Sequence, residues 1–216
     1  MAFYVGQILA HRGIWCESVP PNSFEALRRA LDEGFGIETD IRDFCEEIVV
    51  SHDPVSSIGS LSFSGLISAI NSSSAWVGLN IKSDGLKPLL EQSIPKVRRE
   101  KVFIFDGSIP ERLQWRNSRY LYFDRLSDVE PFVPDLGASV SGIWLDAFFS
   151  CWFDESLIES WLDQGITVSI VSSELHGRHE EESWPIIKKL IAKTGGQSLL
   201  ICTDHPYKAA SYFNAS

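Results

Sequence analysis

The sequence has few of the residues that would indicate disulfides, a membrane protein or nucleic-acid binding. Only four of its 216 residues are cysteines, and none of them forms a CxxC or similar ligand spacing. Scattered cysteines are typical of reduced thiols, so we expect a cytoplasmic protein. Basic residues are also scarce, since 19 Lys and Arg stand against 29 Asp and Glu, a formal net charge of −10. This balance argues against a nucleic-acid partner and against binding to anionic lipid.

Long hydrophobic runs are absent too. No stretch approaches the length of a membrane span, and the opening MAFYVGQILAH lacks the basic segment and the apolar length of a signal peptide. We therefore expect no membrane span and no signal peptide. Hydrophobic residues still make up 44% of the chain, with seven Trp and thirteen Phe. This content is sufficient for one globular domain over residues 1–216.

Strand-like and helix-like patterns alternate along the whole chain. The predicted strands are 7–13, 36–44, 76–83, 101–107, 119–126, 141–148, 166–173 and 198–206, with a further extended segment at 47–53. The predicted helices are 23–34, 63–71, 85–97, 109–117, 154–165, 183–195 and 206–213, with a Pro-broken helix or loop at 129–137. Eight strands alternating with helices predict a TIM (β/α)8 barrel, and a doubly wound open sheet is the alternative.

Polar side chains stand at the ends of these strands. They are His11, Arg12, Glu38, Asp40, Asn80, Lys82, Asp106, Asp124, Asp146 and Asp204. In a barrel the carboxyl ends of the strands converge on one site. Side chains two residues apart on a strand share a face, so Glu38 lies beside Asp40 and Asn80 beside Lys82. Because two buried carboxylates repel each other, the acid pair must either meet solvent or hold a cation.

Six short segments together resemble a known family. They are HRG (11–13), PPNS (20–23), IETDIR (37–42), VVSHD (49–53), LNIK (79–82) and TDHP (203–206). In this order they resemble the glycerophosphodiester phosphodiesterases, which belong to the phospholipase C-like phosphodiesterase superfamily and use a TIM barrel. The resemblance is dense over residues 8–53 and sparse at 76–86 and 199–206. Any one segment alone would be a weak signal.

The resemblance implies an acid/base pair and a phosphate site. His11 and His52 are identified as the general acid and base, and Arg12 as a phosphate contact, with Lys82 as a second. Cleaving a phosphodiester requires one group to accept a proton from the nucleophile and another to protonate the leaving oxygen. Two histidines can do both near neutral pH. The planar fork of an arginine suits the non-bridging oxygens of a phosphate.

The resemblance also implies a divalent cation, Mg²⁺ or Ca²⁺, bound by Glu38 and Asp40. The family usually has a Glu two residues before the Lys of the third strand, and this sequence has Asn80 there. An amide oxygen can bind the cation but adds no charge, so we expect weaker binding unless Asp106, Asp124 or Asp146 compensates. The family's long segment after the HD pair, which contributes to substrate fit, is also missing, so the resemblance does not imply a glycerol-specific pocket.

Each of these interpretations has a structural alternative. Glu38 and Asp40 could instead pair with Arg42 or Lys82 in an ion network, and the histidines could be buried core residues. Asn80 could be a plain hydrogen-bonding residue.

Other polar and aromatic residues are interpreted as structural. We expect Asn22 to cap a helix, and Asp204 to be a turn and cap residue that fixes the closure of the barrel. We expect His176 and His179 to lie in a solvated charged loop. Trp144 and Phe148 are interpreted as packing residues, with an apolar wall for the leaving group as the alternative role of a residue at this place.

The sequence therefore predicts a metal-dependent phosphodiesterase acting on a small-molecule phosphodiester, either glycerophosphodiester-like or lipid-derived. Two alternatives remain open. One is a phosphodiester lyase that stops at a cyclic phosphate, and the other is a non-catalytic barrel that binds a phosphorylated metabolite.

Overall fold

Eight parallel strands close into a barrel in the computed structural model, which describes residues 3–56, 61–93, 99–115, 118, 120–130 and 141–215. The described strands are β1 (Ile8–His11), β2 (Gly36–Phe44), β3 (Glu47–Val50), β4 (Leu61–Ser62), β5 (Val77–Ile81), β6 (Val102–Phe105), β7 (Leu121–Leu126), β8 (Gly142–Leu145), β9 (Thr167–Val171) and β10 (Leu199–Thr203). β3 and β4 lie outside the barrel, and the other eight strands form it. Their order is β1-β10-β9-β8-β7-β6-β5-β2, and β1 also pairs with β2. This last pairing closes the sheet, so the barrel prediction is confirmed over the open-sheet alternative.

Seven helices are described around these strands. They are α1 (Phe24–Asp32), α2 (Phe63–Ser72), α3 (Lys87–Ser93), α4 (Ile109–Trp115), α5 (Glu155–Leu162), α6 (Trp184–Thr194) and α7 (Pro206–Asn214). Their apolar faces pack against the outward side chains of the strands in one continuous buried layer. Most of the predicted loop or helix at 129–137 lies outside the described residues, as do 94–97 and 116–117 of two predicted helices. No helix among the described residues is long and apolar enough to cross a membrane.

β2 continues beyond the barrel and forms a hairpin with β3. The two strands pair antiparallel from Ile41 opposite Val50 to Phe44 opposite Glu47. Cys45 and Glu46 both have positive φ, as the two central residues of a type I′ hairpin turn require. The extended segment predicted at 47–53 is therefore an arm beside the barrel, and β4 pairs with its outer edge.

The barrel interior is filled mainly by aromatic and aliphatic side chains. They are Leu9, Phe103, Phe105, Phe123, Trp144, Val171, Leu200 and Cys202. Phe103 stacks on Phe123 with 4.0 Å between ring centroids, and Phe105 stacks on Trp144 at the same distance. Leu79 and Ile81 belong to the outer layer. The alternation predicted for β1 and β5 is confirmed, and so is the packing role of Trp144.

Two glycines make room for these rings. A Cβ atom on Gly78 would lie 2.7 Å from Phe103, and one on Gly142 would lie 2.5 Å from Phe123. Real Cβ contacts are not this short, so the strand beside each ring must carry a glycine. The interior is thus packed by large rings placed next to residues without side chains.

We predict that Gly142→Ala lowers the free energy of unfolding by about 1–3 kcal/mol, because the added methyl group overpacks a buried ring. Gly65→Ala is the matched control: its Cβ meets only Leu61, at 3.8 Å, on an exposed position of α2. The control should raise stability by about 0.5–1 kcal/mol. Chemical denaturation measures both variants, and a Gly142→Ala protein as stable as the wild type would contradict the packing described above.

Candidate active site

The carboxyl ends of the barrel strands bring the predicted polar residues to one mouth. β2 lies between β1 and β5 in the sheet. His11 pairs in register with Glu38, and Asp40 with Asn80. These four residues therefore sit on three adjacent strands, although the sequence separates His11 from Asn80 widely. The structure thus brings together most of the predicted site.

His11 is held by two carboxylates. Its Nδ1 atom donates a hydrogen bond to Oδ1 of Asp204 at 2.7 Å, and its Nε2 atom lies 3.9 Å from Oε2 of Glu38. Burial acts to lower the pKa of His11, but the hydrogen bond to Asp204 and the charge of Glu38 raise it more, so the net shift is upward. The hydrogen bond fixes the ring and leaves Nε2 as the atom that faces the mouth.

Asp204 was predicted to be a turn and cap residue, and that interpretation is wrong. α7 begins after His205, and its N-terminus has no side-chain cap. Asp204 instead accepts the hydrogen bond from His11, which is 193 positions away in the sequence. Its backbone N–H donates to Oε1 of Glu174 at 3.1 Å, which fixes the position of Asp204 in turn.

Asp40 binds two cationic side chains at once. The Nε atom of Arg12 lies 3.0 Å from Oδ2, and Nζ of Lys82 lies 3.2 Å from Oδ1. Asp40 is fully buried, so each cation offsets part of the desolvation of its charge. The ion pair between Asp40 and Lys82, which was the structural alternative, is therefore present. Arg42 instead donates to the backbone oxygen of Lys82 at 2.9 Å.

Asn22 belongs to this network and does not cap the helix. Ser23 is the N-cap of α1, and its side chain accepts a hydrogen bond from the N–H of Ala26. The amide of Asn22 donates to Oδ2 of Asp40 at 2.8 Å and accepts from Oγ1 of Thr39 at 2.8 Å. Asn22 has a φ of 61°, which Asn tolerates better than most residues. The cap prediction for Asn22 is therefore wrong.

Three oxygen-bearing residues in the mouth could bind a cation. Oε2 of Glu38 and Oδ1 of Asn80 are buried and have no hydrogen-bond partner in the part of the chain that the structure describes, and Asp40 lies beside Asn80. Burial first, and then the negative charge of Asp40, raise the pKa of Glu38 to about 7. Within the described ranges, no group of three or more His, Cys, Asp and Glu side chains is placed to hold a metal ion. Two carboxylates and one amide nevertheless fit a hard cation, since all their donors are oxygen.

His52 is more exposed than His11. Its Nδ1 atom bonds Oδ1 of Asp53 at 2.8 Å, and 46% of its side chain is accessible to solvent. It lines an open cavity of about 630 Å³ together with Arg12 and Asn22. The structure thus places His52 on the wall of the same cavity as the predicted phosphate contact Arg12. Among the described residues, no contact between His52 and His11 is found. The catalytic roles of both histidines remain predictions.

The three acids considered as replacements for a third metal ligand have partners elsewhere. Asp124 lies on the outward face of β7 and pairs with Arg112 of α4. Asp106 pairs with Arg125 at 3.2 Å, and Asp146 with His176 at 2.6 Å. Asp124 therefore points away from the mouth, and Oδ1 of Asp106 and Oδ1 of Asp146 already have Arg125 and His176 as partners.

His176 was predicted to lie in a solvated loop, and this is wrong. It follows β9, and its ring lies 4.9 Å from that of Phe148, which is at the mouth and outside the barrel interior. His179 is exposed, as predicted. The sequence feature that could have placed His176 at the mouth is its position after the end of β9. The charged residues that follow His176 favoured the solvated-loop interpretation instead.

Comparison with known proteins gives a match in structure alone. No protein-family model and no curated protein matches the chain. A protein from Galdieria sulphuraria, named as a candidate glycerophosphodiester phosphodiesterase, superposes with a TM-score of 0.75 at 17% identity. The match covers 96% of this chain and 97% of that one.

Two further solved structures share the fold. A phosphodiesterase from Oleispira antarctica, in complex with its product sn-glycerol-3-phosphate, has a TM-score of 0.70 at 14% identity and covers 97% of each chain. A Ca²⁺-dependent phosphatidylinositol-specific phospholipase C from Streptomyces antibioticus has a TM-score of 0.57 at 13% identity, covering 99% and 98%. The resemblance drawn from the six sequence segments is thereby confirmed at the level of the fold.

We predict that Asp204→Asn lowers the pKa of His11, because an amide cannot supply the negative charge that raises it. Titration of the imidazole resonances by NMR, assigned with His11→Gln, measures the change. Asp163→Asn, an exposed acid after α5, is the charge-matched control and should leave the His11 curve unchanged. An unshifted His11 in Asp204→Asn would contradict the geometry of this pair.

Proposed function

We propose that this chain is a metal-dependent phosphodiesterase that cleaves a glycerophosphodiester or another small or lipid-derived phosphodiester. One observation carries the proposal. His11, fixed by Asp204, presents Nε2 to the mouth where Asp40 holds Arg12 and Lys82. A proton-transfer group next to two positioned cations is what cleavage of a phosphate ester requires. The product bound to the Oleispira antarctica enzyme supports the same class of ligand.

Arg12 and Lys82 are proposed to bind the phosphate. Both side chains are mostly buried and are held in place by the ion pairs with Asp40. A phosphate that enters the mouth meets cations that are already ordered, so little side-chain entropy is lost on binding. Arg12 has a φ of 59°, a conformation that residues at functional sites adopt more often than others.

His11 and His52 are proposed to divide the proton transfers. With Nδ1 bonded to Asp204, His11 can hold or release a proton only at Nε2. The upward shift of its pKa makes His11 a better proton holder than an ordinary histidine, so His11 suits the role of acid for the leaving oxygen. His52, on the wall of the cavity beside Arg12, is then the base.

Glu38, Asp40 and Asn80 are the residues that would hold a divalent cation. When bound, the cation would neutralise phosphate charge and lower the pKa of the attacking oxygen. Oε2 of Glu38, which accepts no hydrogen bond from the described residues, would gain a close partner in the cation. Asp40 would share its charge between the cation and its two basic partners.

A phosphodiester lyase is the second candidate. In this reaction a hydroxyl of the substrate next to the ester attacks the phosphorus and gives a cyclic phosphate. The specific observation in its favour is the shared fold with the phosphatidylinositol-specific phospholipase C from Streptomyces antibioticus. The same residues would serve, since both reactions need one proton acceptor and one proton donor.

We predict that the protein cleaves at least one member of a panel of glycerophosphodiesters, that chelator abolishes the activity, and that Mg²⁺, Ca²⁺ or Mn²⁺ restores it. Phosphorus NMR of the products separates hydrolysis from cyclisation. His11→Ala should lower kcat by about 10²–10⁴-fold, the usual contribution of a general acid or base.

His179→Ala is the matched control for His11→Ala, because this imidazole is exposed and has no role in the proposed mechanism. It should keep wild-type kcat. A panel in which no diester is cleaved with any of the three metals would refute the enzyme proposal and leave the non-catalytic barrel as the remaining alternative.

We also predict that Asn80→Glu tightens binding of the divalent cation, because a third carboxylate adds charge beside Asp40. Calorimetric titration with Mg²⁺ or Ca²⁺ measures the affinity. Gln114→Glu adds the same charge at an exposed position of α4 and should not alter it. If Asn80→Glu binds the cation no more tightly than the wild type, Asn80 does not contact it.

A further inference from the structure

Glu174 accepts hydrogen bonds at both of its carboxylate oxygens and has no role in the mechanism above. It lies in a short 3₁₀ helix (Ser173–His176) that follows β9. Its Oε1 atom accepts from the backbone N–H of Asp204 at 3.1 Å and from the hydroxyl of Thr203, and its Oε2 atom accepts from the hydroxyl of Ser172. Three donors from the ends of two neighbouring strands thus meet at one side chain.

The bond from Asp204 to Glu174 takes the place of a bond that the sheet does not make. β9 and β10 pair in parallel, and the N–H of Ser172 still donates to the carbonyl oxygen of Cys202 at 2.9 Å. A parallel ladder would continue with the N–H of Asp204 donating to the carbonyl oxygen of Ser172. That oxygen instead accepts from the N–H of Leu175 at 3.1 Å, because the chain turns into the 3₁₀ helix. Glu174 therefore supplies the acceptor that the sheet lacks here.

The two hydroxyls around Glu174 are both arranged as donors to it. The indole N–H of Trp184 donates to Oγ of Ser172 at 2.7 Å, and the backbone N–H of His205 donates to Oγ1 of Thr203 at 3.0 Å. Each hydroxyl thus accepts from an N–H and has its single hydrogen left for Glu174. A carboxylate can accept from all the donors around it, whereas the amide of a glutamine can match them only in part.

The backbone of Glu174 is fixed as well as its carboxylate. Leu175 packs against the side chains that fill the barrel interior. The N–H of Gly177 donates to the carbonyl oxygen of Glu174 at 2.9 Å, and the buried hydroxyls of Ser173 and Ser183 lie 3.2 Å apart. A side chain on a segment held in this way can keep its own partner in one place.

Asp204 depends on this support for its orientation. Its carboxylate is partly exposed and, in the described part of the chain, hydrogen-bonds only the ring of His11. The backbone of Asp204, just past the end of β10, is bonded through its N–H to Glu174. Loss of that bond would loosen the strand end and let the carboxylate move away from Nδ1 of His11.

We propose that Glu174 is a positioning residue, which holds Asp204 so that Nδ1 of His11 stays bonded and Nε2 faces the mouth. Its part in turnover rests on the proposed function, whereas its effect on the ring of His11 does not. The place of its acceptor oxygen matters more than its charge, because all of its hydrogen bonds come from uncharged donors.

The Nδ1–H proton of His11 reports on this positioning without any substrate. In isotope-labelled protein its NMR signal is assigned with His11→Gln, and the hydrogen bond to Asp204 should protect the proton from exchange with water. Glu174→Ala should abolish the protection, so that the signal is lost. Glu174→Gln should keep the signal, because its amide oxygen can still accept from the N–H of Asp204.

Turnover of a diester that the wild type cleaves gives a second readout. Glu174→Ala should lower kcat by about 10–100-fold, the effect of a small displacement of a catalytic group. KM should not change, because the phosphate contacts Arg12 and Lys82 are not altered. Glu174→Gln should recover most of the lost kcat. A purely structural role would lower the stability of the protein and leave kcat of the folded fraction unchanged.

Glu181→Ala is the matched control, since Glu181 is exposed and removes the same charge from the same part of the chain. It should keep both the signal and kcat. Thermal denaturation checks folding, and Glu174→Met, which keeps the side-chain length without an oxygen acceptor, replaces Glu174→Ala if the latter unfolds. The proposal is overturned if wild-type protein shows no protected Nδ1–H signal, if the folded variant keeps the signal or the wild-type kcat, or if Glu174→Gln loses as much as Glu174→Ala.

Failure of the function and failure of the positioning role give different results. If the wild type cleaves no diester, while Glu174→Ala loses the signal and Glu174→Gln keeps it, the enzyme proposal is overturned and Glu174 still positions His11. If the wild type cleaves a diester and Glu174→Ala keeps both the signal and kcat, the enzyme proposal holds and the positioning role is overturned.

Discussion

The pairing of β2 with β1 on one side and β5 on the other is the constraint on which the site depends. It sets His11 opposite Glu38 and Asp40 opposite Asn80. Side chains alternate along a strand, so a slip of one residue would turn both acids into the apolar layer under the helices and bring Ile37 and Ile41 into the mouth. The hydrophobic contacts of these isoleucines exclude that slip. Packing of the outer layer thus decides which groups meet in the mouth.

The electrostatics of the mouth are compensated unevenly. Asp40 is buried, and two cations and an amide bind its oxygens. Glu38 is just as buried, yet its Oε2 atom accepts no hydrogen bond from any described residue. Burial, and then the charge of Asp40, raise the pKa of Glu38 to about 7. The ion pairs of Asp40 contribute to stability and also position the basic side chains. The buried Oε2 atom of Glu38 is therefore the atom of the site to which a ligand can supply a partner.

The barrel could be predicted from the sequence because alternation and apolar periodicity are local, and all eight strands and the described helices lie where the patterns place them. The contacts of Asn22, Asp204 and His176 could not. Asn22 stands beside Ser23, and either residue could cap α1 by type alone. Asp204 and His176 have partners 193 and 30 positions away, and no local pattern records such pairs. The sequence patterns predict which residues stand at strand ends. Which side chain each of these residues then hydrogen-bonds depends on the tertiary structure.

Because of the hairpin of β2 and β3, the two histidines are attached to different parts of the sheet. His11 ends a strand of the closed barrel, while His52 follows β3, which pairs only with the extension of β2 and with the short β4 in the described residues. The spacing between the two imidazoles is therefore set by the arm and can change while the barrel keeps its shape. Lengthening or twisting that arm would adapt the mouth to phosphodiesters of different bulk, with the anchoring of His11 untouched.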